Sequence, residues 1–349
     1  MKVLITGGAG FIGSAVVRRA VAEGLEVVNL DVLSYSANLE NVASVADSPL
    51  YAFEQADICD GERVKAIFAK HQPDAVMHLA AESHNDRAID GPLDFVRSNV
   101  MGTAVLLEAA RAHWLSLEGA AKAAFRFHHV STDEVFGALG EEGAFTEETP
   151  YDPNSPYSAS KAGADHLVRA WGRTFGLPVV ITNCANNYGP FQFPEKLIPT
   201  VVLRAMEGKS IPVYGDGRQV RDWLHVDDHA DALLTVLRKG RLGETYCIGG
   251  DSNLRNIEII KILCAHLDKL APANVKHETR IEFVADRPGH DFRYSIDASK
   301  LKQELGWEPR TPLPEGLEDT VRWYVENRAW WQGIRERGFH SERLGLTPA

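Results

Sequence analysis

Short apolar runs alternate with amphipathic stretches through the first half of the chain. Runs rich in Val, Ile, Leu and Phe, typical of buried strands, occur at residues 3–6, 26–30, 50–54, 75–79, 127–131 and 179–183. Between them apolar positions recur at helical spacing, at residues 11–23, 62–71, 99–113 and 158–175. Strands separated by helices indicate right-handed βαβ units. The pattern therefore predicts an α/β fold with a doubly wound parallel sheet covered on both faces.

The alternation stops after about residue 190, where Pro and Gly become frequent. Helical patterns continue at residues 198–207, 228–238, 256–267 and 317–327. We expect residues 1–190 to form the doubly wound domain and residues 191–349 to form mainly a smaller α+β lobe, with chain crossovers between the two allowed. Ligands of such folds bind at the carboxyl edge of the sheet, so we expect the second lobe to cover that edge.

Composition narrows the function classes. The 349 residues are 44% hydrophobic and 24% charged, which suits a globular protein with a large core. The 37 Lys and Arg against 48 Asp and Glu give a net charge of −11, which disfavours a nucleic-acid partner. Four cysteines without a CxxC pair argue against a disulfide framework or a zinc site. No apolar run reaches the ~20 residues of a membrane span, so we expect a cytoplasmic protein.

A glycine-rich turn follows the first predicted strand and opens the first predicted helix. Gly7, Gly10 and Gly13 stand three residues apart. Glycine permits a tight turn, a close approach of backbone to a pyrophosphate and close packing of the helix on the strand. The helix N-terminus adds N–H donors. The turn therefore predicts a dinucleotide site, although a purely structural turn would show the same spacing.

Two acidic residues at predicted strand ends extend this site. Asp31 lies 18 residues after Gly13, near the ~20 expected for the acid that binds the adenosine ribose. A carboxylate there would repel a 2′-phosphate, so NAD is favoured over NADP. Asp57 could accept from the adenine amine in the same way. The alternative for each is a solvated acid at a strand end.

Tyr157 and Lys161 are four residues apart at the start of a predicted helix. That spacing puts both side chains on one face, with the ammonium below the phenol and near the nicotinamide ribose. A nearby cation lowers the pKa of a phenol from its usual value of about 10. Tyr157 could then act as a base on a substrate hydroxyl. The alternative is a surface pair.

Two histidines four residues apart, His225 and His229, could ligate a metal on one helix face. No third ligand is apparent, and Asp227 and Asp228 are natural helix caps. We therefore expect a helix start and no metal.

Residues 131–137, Ser-Thr-Asp-Glu-Val-Phe-Gly, end a predicted central strand. Further motifs lie at residues 80–84, 186–190, 193–199, 221–223 and 287–291. In these motifs the chain resembles the extended short-chain dehydrogenase/reductase family that acts on nucleotide sugars, from Lys2 to about Trp331. Within the family it is most similar to the branch that dehydrates dTDP-glucose. The resemblance implies a Rossmann domain that binds NAD.

The resemblance also implies a reaction. Sugar C4 is oxidised, water is eliminated across C5 and C6, and C6 is then reduced, which gives dTDP-4-keto-6-deoxy-glucose and regenerates NAD. By resemblance Tyr157 and Thr132 act at the C4 oxygen with Lys161 beside them. Glu134 is then the base at C5 and Asp133 the acid at the C6 hydroxyl.

Two other functions compete with this one. A nucleotide-sugar 4-epimerase or decarboxylase shares the glycine turn and Tyr157 but needs no elimination, so the acidic pair argues against it. A non-catalytic NAD-sensing protein needs neither the acids nor the Tyr/Lys pair. Taken alone, the Thr-Asp-Glu run at 132–134 could instead be a capping cluster after a strand.

The further site residues follow partly from chemistry and partly from the resemblance. A diphosphate needs local cations, for which the guanidinium groups of Arg221 and Arg287 are candidates, and Tyr214 could stack on the base. The implied cofactor contacts are Gly7, Gly10, Phe11, Ile12, Gly13, Asp31, Val32, Leu33, Ser34, Asp57, Ile58, Leu79, Ala80, Ala81, Ser83, Ser98, Tyr157, Lys161 and Asn187. The substrate contacts are Ser83, His84, Thr132, Asn186, Lys196, Leu197, Pro212, Tyr214, Arg221, Asn256, Arg287 and His290.

The chain departs from the family pattern at Val32, Asn85 and Ala185, and no single residue distinguishes thymine from uracil. Family likeness implies a homodimer in which the helices at 99–113 and 158–175 pair across a two-fold axis. Their apolar positions could equally face the monomer core: Val105, Leu106, Leu167 and Val168.

Overall fold

The computed structural model of the chain describes residues 1–286 and 289–339. Its strands are β1 Lys2–Thr6, β2 Glu26–Asp31, β3 Tyr51–Gln55, β4 Ala75–His78, β5 Arg126–Thr132, β6 Val179–Cys184, β7 Asn186–Tyr188, β8 Ile211–Tyr214, β9 Val220–His225, β10 Thr245–Ile248, β11 Asn253–Arg255 and β12 Ile281–Val284. Its α-helices are α1 Phe11–Ala22, α2 Gly61–His71, α3 Asn85–Asp90, α4 Pro92–Phe95, α5 Gly102–Ser116, α6 Gly119–Ala124, α7 Pro156–Phe175, α8 Leu197–Met206, α9 Val226–Lys239, α10 Asn256–Leu270, α11 Ser299–Leu305, α12 Leu313–Glu326 and α13 Arg328–Glu336. None of these helices is long and apolar enough to cross a bilayer.

Seven strands form one parallel sheet in the order β10-β6-β5-β4-β1-β2-β3. The order reverses direction beside β1, as in a doubly wound fold, so the predicted fold class is confirmed. The six predicted strands match β1 to β6 to within about one residue at each end. The seventh strand, β10, comes from the second half of the chain and was not predicted. Four residues at the edge of a sheet leave little periodicity to detect.

Helices cover both faces of this sheet. On one face α1 packs beside α9, and Val16, Val17 and Leu233 lie fully buried between them and the strands. On the other face α2, α5 and α7 pack around Phe68 and Leu106. Helix α9 and strand β10 follow residue 190 but belong to the seven-stranded sheet and its helical cover. The chain therefore crosses back from the second half to the first domain.

A second core lies over the carboxyl edge of the large sheet. It joins α8, α10 and α12 through buried residues such as Val202, Leu263 and Val321. Two small sheets accompany it, one in the order β11-β9-β7 and one pairing β8 with β12. The described C-terminal helix α13 is tied to the N-terminal half, since Trp330 Nε1 donates to Asn41 Oδ1 at 2.9 Å.

The helix predicted at residues 99–113 starts differently in the structure. Residues Val96–Met101 form a π-helical turn, and α5 follows from Gly102. Asn99 lies in this turn, and its amide donates to the Glu82 carbonyl and to Ser160 Oγ. A polar side chain that bonds across to other segments accompanies the wider turn, and such turns are frequent near functional sites.

Four buried histidines, His78, His128, His129 and His229, carry depressed pKa values because burial disfavours the imidazolium. The pKa is lowered to about 3 for His128 and His229 and to about 4 for His129. His229 Nδ1 bonds Asn187 Oδ1 at 2.9 Å, and His225 caps α9 through a bond to the Asp227 N–H. The two histidines at 225 and 229 therefore have separate partners.

The histidines predict an early loss of stability in acid. A group whose folded pKa lies below its unfolded value near 6.5 stabilises the fold fully above pH 6.5, and the contribution declines as pH falls toward about 3. We expect His128→Gln to flatten the dependence of unfolding free energy on pH between 6 and 4 by about 1.4 kcal/mol per pH unit. Urea unfolding at each pH measures the slope. Exposed His166→Gln is the control, and equal slopes for wild type and His128→Gln would refute the expectation.

Candidate active site

The carboxyl ends of β1, β2, β4, β5 and β6 border a cleft of about 310 Å³. The second core covers part of it through residues 192–196. Of the predicted cofactor contacts, the following line the cleft: Gly7, Gly10, Phe11, Ile12, Gly13, Asp31, Val32, Ser34, Asp57, Ile58, Leu79, Ala80, Ala81, Ser83, Ser98, Tyr157, Lys161 and Asn187. One face of one cleft thus gathers residues scattered over most of the first half of the chain.

The glycine turn needs its glycines for steric reasons. Gly7 has a φ of +74°, and a Cβ on Gly13 would stand 2.0 Å from the Gly7 carbonyl oxygen. Gly10 precedes α1 without any side-chain cap for the helix. The first-turn N–H groups therefore remain available to an anion in the cleft. These features fit the pyrophosphate of a dinucleotide.

Asp31 closes β2 beside this turn. Its carboxylate accepts from the Ala9 N–H at 3.0 Å and from the Leu33 N–H at 2.8 Å. Burial raises the pKa of Asp31 despite these two bonds. Leu33 itself does not line the cleft but adopts a φ of +59° and so turns the loop after Asp31. A carboxylate at this edge suits ribose hydroxyls, as the spacing from Gly13 predicted.

Asp57 lies farther along the same edge, beyond β3. It accepts from the Cys59 N–H at 2.8 Å and from Arg97 at 2.6 Å. Burial opposes its ionisation, but the hydrogen bonds from Cys59 and Arg97 outweigh burial and lower the pKa. Asp57 is therefore a carboxylate facing the far end of the cleft, where an adenine amine would find an acceptor.

Helix α7 positions Tyr157 and Lys161. Ser155 caps the helix, since its hydroxyl accepts from the Ser158 N–H and the Ser158 hydroxyl accepts from the Ser155 N–H. Pro156 at the first helical position suits a helix start. Tyr157 is 8% exposed and meets Phe95 edge-on, with ring centroids 6.3 Å apart. The cap and the ring contact aim the phenol into the cleft.

The expected lowering of the Tyr157 pKa is wrong for the protein without its ligands. Burial, followed by the negative charge of Glu134, raises that pKa well above its usual value. Lys161 does not offset this because its ammonium, 4% exposed, donates to the Val130 carbonyl at 2.9 Å. Burial also lowers the pKa of Lys161, with Asp165 acting in the opposite direction. A proton on Tyr157 therefore needs an added positive charge in the cleft before it leaves.

The acidic pair lies in the short 3₁₀ turn Asp133–Phe136 after β5. Thr132 caps this turn by accepting from the Glu134 N–H, and its side chain lowers the pKa of Tyr157 against the larger effect of burial. Asp133 is 1% exposed, and its Oδ2 has no hydrogen-bond partner among the described residues. Burial, then the neighbouring Glu134 charge, raises the pKa of Asp133 well above its usual value. Burial and the Glu134 charge therefore favour the protonated form of Asp133, while the half-buried Glu134 lines the cleft.

The predicted substrate contacts divide into two groups. Ser83, Thr132, Asn186 and Lys196 line the cleft. Lys196 links the halves of the molecule across it, because Nζ donates to the Ser83 carbonyl at 2.7 Å. A cation at this point can meet an anionic group that enters from the second core.

The other group lies beyond the cleft lining. Tyr214 donates to Asp86 Oδ2 at 3.1 Å, and its ring stands edge-on to His290. Arg221, 5% exposed, donates to the Asp291 carbonyl at 3.0 Å and covers the Tyr294 ring. Its guanidinium therefore helps to hold the backbone after residue 290.

Four further predicted contacts are also not among the residues that line the cleft. His84 caps α3, Leu197 begins α8, Pro212 lies in β8 and Asn256 begins α10. Asn256 Oδ1 is buried without a hydrogen-bond partner among the described residues, so it can accept from a ligand. Arg287 lies outside the described residues.

Several residues that line the cleft were not predicted from the sequence. Cys184 closes β6 and lines the cleft, and the rule that ligands meet the carboxyl ends of parallel strands could have identified it. Glu195 also lines the cleft and accepts from Tyr35 at 3.0 Å. Arg87 covers the Tyr35 ring at 3.6 Å. No local pattern announces this contact, because its three members are far apart in sequence.

Comparisons with known proteins agree with this geometry. A dTDP-glucose 4,6-dehydratase of Neisseria meningitidis is 55% identical, and the match covers 99% of both chains. A solved dTDP-glucose 4,6-dehydratase of Streptomyces venezuelae, with NAD and TYD bound, has a TM-score of 0.88 and 46% identity over 96% of this chain and 100% of that one. A Bacillus anthracis dTDP-glucose 4,6-dehydratase in complex with NAD has a TM-score of 0.86 and 44% identity, covering 96% and 99%.

A family model described as GDP-mannose 4,6 dehydratase matches residues 4–320. That span includes the glycine turn, the acidic pair, the Tyr/Lys pair and most of the second core. The chain therefore belongs to the GDP-mannose 4,6 dehydratase family of nucleotide-sugar enzymes.

Proposed function

We propose that the chain removes water from dTDP-glucose and yields dTDP-4-keto-6-deoxy-glucose, with NAD as a regenerated cofactor. The observation that carries this function is Glu134 beside Tyr157 in the dinucleotide cleft, with the buried Asp133 next to Glu134 in the same turn. A 4-epimerase eliminates no water, so it does not need a protonated carboxyl group beside an ionisable one. The relatives that share the whole chain are named for the same dehydration.

The residues at the carboxyl edge suit NAD. The uncapped start of α1 meets the pyrophosphate, and Asp31 meets the ribose hydroxyls. When bound, NAD accepts a hydrogen with its electron pair from sugar C4 and returns them at C6. Burial holds the proton on Tyr157, and the positive charge of an oxidised nicotinamide ring bound in the cleft would oppose that effect.

Tyr157 takes the proton from the sugar O4 as C4 is oxidised, while Thr132 holds that oxygen through its hydroxyl. Thr132 is well placed because it lines the cleft together with Tyr157 and caps the turn that carries the acids. Lys161 lies one helical turn below the phenol and reaches the ribose side of the cleft. The ketone formed at C4 then acidifies the C5–H bond.

Glu134 removes the C5 proton, and Asp133 gives its proton to the departing C6 hydroxyl. Burial and the Glu134 charge raise the pKa of Asp133 and so favour its protonated form, and its Oδ2, which has no hydrogen-bond partner among the described residues, can donate to a substrate hydroxyl. Two neighbouring carboxyl groups with separate environments can thus serve as acid and base in one step. Water leaves, and as C6 is reduced Glu134 returns a proton to C5. Exchange with solvent then removes the proton that Tyr157 took from O4 and restores the one that Asp133 gave to the departing hydroxyl.

We propose that the two segments predicted from the sequence bind different ligands. Residues 1–190 hold the dinucleotide, and residues 191–349 mainly hold the nucleotide sugar, with α9 and β10 crossing back to the large sheet. Lys196, Tyr214, Asn256, Arg221 and Arg287 are the proposed contacts to the nucleotide diphosphate. The position of Lys196 at the cleft and the unpartnered Asn256 Oδ1 support this role.

We propose a homodimer that uses α5 and α7. Leu106 and Val168 lie in the monomer core, so other side chains must form the contact. Leu93 and Met101, 78% and 58% exposed, provide apolar surface at the start of this helical region. We expect Met101→Arg to give a monomer by light scattering, because it buries a charge in an apolar contact. Phe283→Arg, remote on β12, is the control, and a monomeric wild type would contradict the dimer.

The substrate test follows from the regenerated cofactor. Purified protein with NAD and dTDP-glucose, without added reductant, should release one water per sugar, read by mass spectrometry of the product. UDP-glucose in a parallel reaction measures the preference for the base. An unchanged mass with inverted C4 would instead indicate epimerisation, and no turnover of either nucleotide sugar would reject the proposed activity.

Glu134→Gln should separate oxidation from elimination. The amide cannot accept the C5 proton, so we expect C4 oxidation to persist while exchange of C5–H with deuterated solvent slows by about 10²-fold or more. Absorbance of the reduced cofactor and mass spectrometry of the recovered sugar measure the two steps. Exposed Glu141→Gln is the matched control. Rapid C5 exchange in Glu134→Gln would assign the base to another residue.

A further inference from the structure

We propose that Asn85 is a positioning residue that orients the Glu134 carboxylate for proton abstraction. This inference rests on the proposed function, in which Glu134 is the base at C5. Asn85 begins α3, and its Nδ2 donates to Glu134 Oε2 at 2.9 Å. Among the described residues no other side chain donates a hydrogen bond to that carboxylate. Asn85 therefore fixes one of its two oxygens.

The orientation of the Asn85 amide is itself determined by a second bond. Ser155 Oγ accepts from the Ser158 N–H at 3.0 Å, so its own proton is free to donate to Asn85 Oδ1 at 3.1 Å. With Oδ1 directed at Ser155, the NH₂ group must point at Glu134. An aspartate here would set a second negative charge against Glu134, and an isosteric leucine would make neither bond.

This chain of bonds connects the proposed base to the helix that carries the phenol. Ser155 is the cap of α7, and Tyr157 follows two residues later. Glu134 lies in a short 3₁₀ turn, which by itself restrains a long side chain weakly. Through Asn85, the carboxylate is held relative to the same helix start that holds Tyr157. Asn85 thus holds the proposed C5 base, Glu134, at a fixed position relative to Tyr157, which acts at C4.

The bond also acts on charge distribution. After burial, the negative charge of Glu134 is the next cause that raises the pKa values of Asp133, Tyr157 and Tyr294. A charge-assisted hydrogen bond from a neutral amide stabilises the carboxylate without adding a proton that could move to the substrate. Since the described hydrogen bonds of the Asn85 side chain go to Glu134 and Ser155, its loss should affect elimination and leave C4 oxidation intact.

Asn85→Leu preserves side-chain shape and removes both bonds, whereas Asn85→Gln keeps the amide on a longer stem. With NAD and dTDP-glucose in deuterated solvent, we expect Asn85→Leu to oxidise C4 within about twofold of wild type but to exchange C5–H about tenfold more slowly. Reduced cofactor should accumulate as an absorbance band. Asn85→Gln should restore part of the exchange rate. Asn327→Leu, which removes a remote amide bond to the Trp323 carbonyl, should match wild type in both steps.

Two results would overturn the positioning role. One is wild-type C5 exchange in Asn85→Leu, and the other is equal slowing of C4 oxidation and C5 exchange, which indicates a general structural role. If Asn85→Leu does not fold by thermal melting, Asn85→Ala replaces it with the same criteria. Glu134→Gln is run alongside: fast exchange in that variant rejects the base assignment, whereas slow exchange there with fast exchange in Asn85→Leu rejects only the role of Asn85.

Discussion

Burial of the Asp133 carboxyl group beside Glu134 is the constraint on which the chemistry of the cleft depends. At 1% exposure a carboxylate loses most of its hydration, and the neighbouring negative charge makes ionisation harder still. The same two causes hold the proton on Tyr157. Desolvation therefore favours the protonated forms of both Asp133 and Tyr157. A ligand that changes the local charge would change both pKa values, so proton transfer from these groups depends on a ligand in the cleft.

The fold creates this site with ordinary elements. Parallel strands bring their carboxyl ends to one edge, where β5 delivers Thr132 and the acids while α7 delivers the phenol. A cap fixes the start of each element: Thr132 caps the 3₁₀ turn and Ser155 caps α7. Asn85 lies between the two capped starts and bonds to both. Rigid element ends suit a site whose groups must share one sugar ring.

Much of the fold could be predicted from the sequence because its signals are local. Six buried strands and the helices between them show clear periodicity, and their bounds agree closely with β1 to β6. The edge strand β10 escaped prediction because it is short and joins the sheet from the second half of the chain. The π-helical turn before α5 escaped because it involves bonds from Asn99 to distant segments. Tertiary context overrode the local pattern in both places.

The sequence by itself determined the glycine turn and the Tyr/Lys pair as candidates, because each depends on residue types at short fixed spacings, and the resemblance to a known family added the acidic pair. Only the tertiary structure decided their protonation. The pKa of Tyr157 is raised rather than lowered because Lys161 is engaged by the Val130 carbonyl and Glu134 lies near the phenol. Likewise Asn85 meets Glu134 across 49 positions of chain. Burial and long-range contacts arise only when distant segments pack together, so no local pattern encodes them.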